Sequence, residues 1–181
     1  MNATALPLKG LFLLEPRVFA DDRGSFTETW NAAAFAAATG CDLPFVQDNQ
    51  SVSHAWVLRG LHHQLAPHAQ GKLVRVASGA IWDVAVDLRP DSPTFGSHYA
   101  VELSAQNGLQ LWIPPGFAHG FLSLRPDTQV HYKCTALYHP ASERTLHWAD
   151  PTLAIPWPLP AGVTPLISPK DEQGGAWSAN P

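Results

Sequence analysis

The chain has 181 residues, a net charge of −4, 45% hydrophobic residues and only 14% charged ones, which fits one domain with a sizeable core. No run of basic residues occurs, which argues against a nucleic-acid partner while leaving room for a local Arg/Lys pocket that binds an anion. No apolar stretch approaches the ~18 residues that span a bilayer, and the N-terminus lacks the basic-then-apolar pattern of a signal peptide. The two cysteines, Cys41 and Cys134, follow no zinc or redox spacing and read as reduced thiols of a cytoplasmic protein.

Strand signals recur at short spacing along the chain, divided by turns rich in Gly, Pro, Asn and Asp. Leu11 to Leu14 is a short apolar run, and Ser25 to Trp30 is β-prone. Asn31 to Thr39 is the only segment that reads as helix, with Asn31 as N-cap and Gly40 as C-cap. Val57 to His62 follows, then Lys72 to Ala77 and Ile81 to Leu88, with Ser78-Gly79-Ala80 between them as an expected hairpin turn. His98 to Leu103, Leu109 to Ile113, His119 to Leu124 and Gln129 to Thr135 complete the series. This density predicts an all-β sandwich or barrel. From Asp150 the chain turns proline-rich, and 151–181 reads as an irregular tail wrapped on a core of about 10–150 and anchored by Trp157. No repeat or linker marks a second domain.

Two clusters carry candidate chemistry. The first is Arg59-Gly60-Leu61-His62-His63-Gln64, followed by Lys72. A histidine near its unperturbed pKa can take a proton at neutral pH, and a nearby lysine can stabilise the oxyanion left behind. Neighbours on a strand point opposite ways, so only one of His62 and His63 faces a given cavity. The second cluster is Pro114-Pro115-Gly116-Phe117-Ala118-His119, with Tyr132 beyond it. A barrel that turns Lys72, His119 and Tyr132 inward gathers them in one cavity. A phenol there can return a proton to the face opposite a histidine. Asp171, read from sequence alone, looks like a tail residue, but it can orient a histidine by accepting its Nδ1 proton. Tyr138 can stack on a base ring or simply pack.

The stretch ending at His119 is similar to the second histidine motif of cupins. Metal-binding cupins also use an alternating His-x-His, whereas His62 and His63 are adjacent and cannot both ligate one ion from the same strand face. No catalytic metal is expected.

The ordered blocks Phe19–Glu28, Phe45–Ser51, Leu58–His62, Gln70–Arg75, Asp83–Arg89, Ser92–Gly96, Trp112–Phe121 and Tyr132-Lys133 resemble the dTDP-4-dehydrorhamnose 3,5-epimerase family. The resemblance runs from about Gly10 to Asp171. It implies a cupin-type jelly roll, no cofactor, and a dTDP-4-keto-6-deoxy sugar as substrate. It also implies His62 as base, Tyr132 as acid, Lys72 as the group that steadies the enolate, and Asp171 as the base's partner. Arg23, Phe26 and Glu28 fall where the family contacts the nucleotide sugar, often across the interface of a homodimer. Gln47, Asn49, Arg59, His119, Tyr138, Glu143 and Lys170 fall at other ligand-contact positions. His63 departs from the pattern, standing where the family commonly has tyrosine or phenylalanine. The expected reaction is inversion at C3 and C5 of dTDP-4-dehydro-6-deoxy-D-glucose. The alternatives are inversion of a single carbon, a metal-dependent cupin enzyme, or a nucleotide-sugar-binding module without catalysis.

Overall fold

The structure, a computed structural model, describes residues 1–178. In chain order it forms β1 (Asn2–Ala5), β2 (Phe12–Glu15), β3 (Val18–Asp21), β4 (Gly24–Thr27), α1 (Ala32–Thr39), β5 (Gln47–Ser53), β6 (Leu58–Gln64), β7 (Lys72–Ser78) and β8 (Ala80–Asp87). There follow β9 (His98–Ser104), β10 (Gln110–Ile113), β11 (Phe117–Ser123), β12 (Thr128–Cys134), a 3₁₀ turn (Pro140–Ser142), β13 (Glu143–Thr145) and a short helix α2 (Pro169–Glu172). One antiparallel sheet runs β1-β2-β10-β7-β12-β5 and a second runs β13-β6-β11-β8-β9.

Strand alternation explains why these two sheets pack face to face. Val74 and Val76 of β7, Leu111 and Ile113 of β10 and Val130 of β12 meet Ile81 and Ala85 of β8, Leu103 of β9 and Phe117 and Phe121 of β11 in one buried cluster. The same strands present a second apolar set outward, so each sheet needs a cover. Phe35 of α1 buries against Leu14, Leu73 and Trp112, with Trp30 and Phe45 beside them. The Asn31 side chain accepts from the Ala34 N–H, and Gly40 ends the helix in the left-handed region, as the capping signals predict.

The tail covers the other sheet. Leu153, Ile155, Trp157 and Trp177 pack on Leu61, Val84, Val86 and Ala118. The Trp157 indole N–H donates to Trp148 O at 2.9 Å. Backbone bridges pair Val57 with Leu166 and Leu146 with Gly175. The tail is therefore tied at several points, and it holds a short helix that the sequence reading did not anticipate.

One turn differs from expectation. Ser78-Gly79-Ala80 is not a hairpin, because β7 and β8 belong to different sheets. Gly79, at φ +79°, is where the chain crosses between them, and a Cβ there would lie 2.3 Å from Thr128 Oγ1. The apolar runs on both sides face the same core from opposite layers, which sequence adjacency alone does not reveal.

β3 and β4 form a separate two-stranded ribbon. Its apolar residues Val18, Phe19 and Phe26 are exposed, Phe26 by 69%. No helix among the described residues is long and apolar enough to cross a membrane. Both cysteines are free thiols.

Candidate active site

Between the sheets lies a cavity of about 390 Å³ lined by Arg59, His62, Lys72, His119, Tyr132, Lys170 and Asp171, among others. A second recess of about 240 Å³ shares His62, Lys72 and Tyr132 and extends to Gln47, Asn49, Tyr138 and Glu143. His62 borders both, whereas His63 borders only the outer recess. Lys72 from β7, His119 from β11 and Tyr132 from β12 thus line one cavity, the arrangement that a barrel turning all three inward would give.

The position of His62 depends on two glycines. On β6 and β11, His62 pairs with His119, and the register shifts just beyond, around Gly120. A Cβ on Gly60 would stand 2.6 Å from His119 O, and one on Gly120 would stand 2.7 Å from Arg59 O. Only glycine permits that approach, and Gly60 also has φ +108°. The two backbones close up here and set the two imidazoles on neighbouring strands.

Asp171 reaches His62 from α2. Its Oδ1 lies 2.5 Å from His62 Nε2, and its Oδ2 accepts from the Gly60 N–H at 3.2 Å. Ser168, the helix N-cap, accepts from the Asp171 N–H at 3.1 Å. The contact is through Nε2, not the Nδ1 that the sequence reading anticipated. Nδ1 has no partner among the described residues and is not sealed from solvent. Burial works against the charge on Asp171, but the contacts with His62 and Gly60 outweigh it and hold the carboxyl below its ordinary range. An ionised carboxylate against one nitrogen leaves the other free to accept a proton, and it stabilises the imidazolium that forms.

Lys72 donates to His62 O at 3.4 Å. Burial lowers its pKa, opposed by Cys134, Asp83 and Glu143. Tyr132 is shifted upward, first by burial and then by Cys134. A phenol that stays protonated at neutral pH can give up a proton to a stronger base such as a carbanion.

At the mouth, the Glu143 carboxylate accepts from Tyr138 Oη at 2.7 Å and pairs with Lys170 at 2.6 Å. Gln47 Oε1 accepts from the Tyr138 N–H at 2.8 Å, and Gln47 Nε2 donates to Asn49 Oδ1 at 3.0 Å. Arg59 Nε donates to Ser53 Oγ at 3.2 Å. Arg59 and Lys170 give the rim cations suited to a diphosphate, and the half-exposed Tyr138 ring offers a stacking face. Of the residues expected from sequence, the structure brings together His62, Lys72, Tyr132, Asp171, Gln47, Asn49, Arg59, His119, Tyr138, Glu143 and Lys170. It does not bring Arg23, Phe26 and Glu28 to this cavity within one chain. Arg23 and Phe26 belong to the exposed ribbon, and Glu28 follows it.

Sequence reasoning missed Asp83 as a candidate. It is completely buried on β8, and its Oδ1 lies 2.7 Å from His119 Nε2. The available signal was a carboxylate inside the apolar run Ile81-Trp82-Asp83-Val84-Ala85-Val86. No group of three or more His, Cys, Asp or Glu side chains among the described residues is arranged to hold a metal ion.

These features define an enzyme that moves protons on a small polar substrate inside a cupin-like jelly roll. The model of the dTDP-4-dehydrorhamnose 3,5-epimerase family matches residues 5–178, and the chain belongs to that family. It is 52% identical over 178 residues to the dTDP-4-dehydrorhamnose 3,5-epimerase of Pseudomonas aeruginosa, covering 98% of this chain and 97% of that one. The crystal structure of the dTDP-6-deoxy-D-glucose-3,5-epimerase of Legionella pneumophila, in complex with dTDP-4-keto-L-rhamnose, matches at TM-score 0.91 and 46% identity over 97% of this chain and 92% of that one. A 3'-monoepimerase from Streptomyces bikiniensis, in complex with dTDP-quinovose, matches at TM-score 0.89 and 36% identity over 97% and 87% of the two chains.

Proposed function

We propose that the protein inverts C3 and C5 of dTDP-4-dehydro-6-deoxy-D-glucose to give dTDP-4-dehydro-L-rhamnose. The observation that carries the proposal is the 2.5 Å His62–Asp171 dyad sharing one cavity with Lys72 and Tyr132. The C4 ketone acidifies the protons on C3 and C5. His62, through Nδ1, removes one of them, and Asp171 stabilises the imidazolium. Lys72 holds the negative charge that develops on the C4 oxygen, in a site where burial strengthens that interaction. Tyr132 delivers a proton to the opposite face, which inverts the carbon. Once His62 has released its proton to solvent and Tyr132 has regained one from it, the same cycle acts on the second carbon. This chemistry uses side-chain acids and bases alone, so the proposal includes no cofactor and no metal.

Gln47, Asn49, Arg59, Tyr138, Glu143 and Lys170 bind the nucleotide diphosphate in this reading, with Tyr138 against the base. The exposed Phe19 and Phe26 support a homodimer in which the ribbon of each chain lies over the other's cavity and carries Arg23, Phe26 and Glu28 to it. The described chain acts as one domain, and its free thiols suit the cytoplasm.

Product analysis tests the reaction. The ring-proton couplings of the sugar after incubation report the configuration at C3 and C5. Inversion of both by the native protein, abolished in His62→Asn with nucleotide affinity retained, is the expected result. An unchanged sugar, or full activity in the variant, refutes it. Inversion of C3 or C5 alone would assign the chain the single-carbon reaction instead. The identity to the 3,5-epimerase from P. aeruginosa, well above that to the monoepimerase, favours both carbons.

A further inference from the structure

The proposed reaction leaves the carboxylate beside His119 without a task. Asp83 is fully enclosed in an apolar strand, where an ionised group is costly unless paired. Its Oδ1 lies 2.7 Å from His119 Nε2. Its Oδ2 is buried without a hydrogen-bond partner. A carboxylate that offers several lone pairs and meets a single donor makes a strong demand on that donor, so Nε2 carries a proton. Burial, ahead of the opposing pull of Asp83, lowers the His119 pKa. At neutral pH the ring is therefore neutral and holds only that proton. His119 lines the cavity. Its Nδ1 has no partner among the described residues and is not sealed off, so it presents a lone pair there.

We propose that Asp83 is a positioning residue that fixes His119 in the Nε2–H tautomer, so that His119 accepts a hydrogen bond from a hydroxyl of the bound sugar and does not donate one to its C4 oxygen. The enolate charge then falls to Lys72. The hydroxyl acceptor makes this cavity wall selective, because a sugar lacking that hydroxyl leaves an acceptor on the buried His119 ring unpaired. The identity of the sugar rests on the epimerase reading, whereas the tautomer does not.

The test uses the full chain labelled with ¹⁵N-histidine. At pH 7 the wild-type spectrum is expected to show His119 with a protonated Nε2 and an unprotonated Nδ1. An imidazolium, or a proton on Nδ1, overturns the proposal, and this arm needs no variant to fold. In Asp83→Asn the amide can donate to Nε2, which moves the proton to Nδ1 or mixes the tautomers. Affinity for dTDP-glucose is then expected to fall about 10- to 100-fold while affinity for dTDP holds. An unchanged tautomer, or equal retention of both affinities, overturns the proposal. Failure of the wild-type protein to exchange any carbon-bound proton of the keto sugar would remove the epimerase reading but leave the tautomer to be decided by the spectrum.

Discussion

His63 should make the fold acid-sensitive in a pH range where most carboxylates contribute little. Its pKa is lowered from 6.5 to about 4, first by burial and then by Lys72, Arg144 and His62, and its Nδ1 is buried without a partner. The folded protein therefore keeps this ring neutral, while the unfolded chain takes up a proton once the pH drops below 6.5. Stability from His63 is present in full above about pH 6.5 and is lost as pH falls through 6.5 towards 4. At about 1.4 kcal/mol per pH unit, the complete loss is about 3 kcal/mol, of which about 2 kcal/mol is gone by pH 5. His63→Phe removes the titration and keeps a planar ring. Urea unfolding of both proteins at pH 7.5, 6 and 5, at one protein concentration, isolates the effect, since His119 is also held neutral by burial but is present in both. The variant should gain on the wild type by about 2 kcal/mol between pH 7.5 and 5. Parallel stability curves would refute the reasoning.

Other expectations follow from the same structure. Lys72→Ala should lower turnover about 10²- to 10³-fold by removing the group that holds the enolate oxygen. Because burial depresses the Lys72 pKa while Tyr132 is raised, the alkaline limb of kcat/KM against pH should fall below the ordinary lysine value. A limb at or above 10.5 contradicts the Lys72 assignment. Asp171→Asn should cut kcat about 10²- to 10⁴-fold with little change in dTDP affinity by calorimetry; a near-normal kcat would show that His62 works without it. Gly60→Ala should destabilise by about 2 kcal/mol or more, since a Cβ meets His119 O at 2.6 Å in a positive-φ conformation; an unchanged thermal midpoint would show that the two strands can part freely.

The sequence carried the strands of the core because their apolar alternation is strong. It carried α1 because Asn31 and Gly40 bracket it. Period assigned Lys72, His119 and Tyr132 each to a face of its own strand, and a barrel turning those faces inward would gather them, but the pairing of strands across two sheets was not readable from period. Other features lacked a local signal. β5, Gln47–Ser53, is polar throughout most of its length, since one face lines the site and the other is exposed, so it has no apolar stripe to read. The ribbon β3–β4 packs on neither main sheet within one chain. Gly79 reads as a hairpin because the sequence shows a turn but not which sheet receives the next strand. Asp171 lies 109 positions from its partner His62, and only the family resemblance linked the two. Asp83 was visible as a carboxylate in an apolar run, but its meaning depended on β11 lying beside β8 with His119 in reach.

The central claim is that His62 and Tyr132 exchange protons on the carbons flanking a ketone while Lys72 holds the charge on the ketone oxygen. It is tested most directly by incubating dTDP-4-dehydro-6-deoxy-D-glucose with the protein in D₂O and following deuterium by NMR. Deuterium at both C3 and C5, absent with His62→Asn, is the predicted result. Label at one carbon contradicts the two-carbon reaction, and no label at either carbon contradicts proton abstraction by this site.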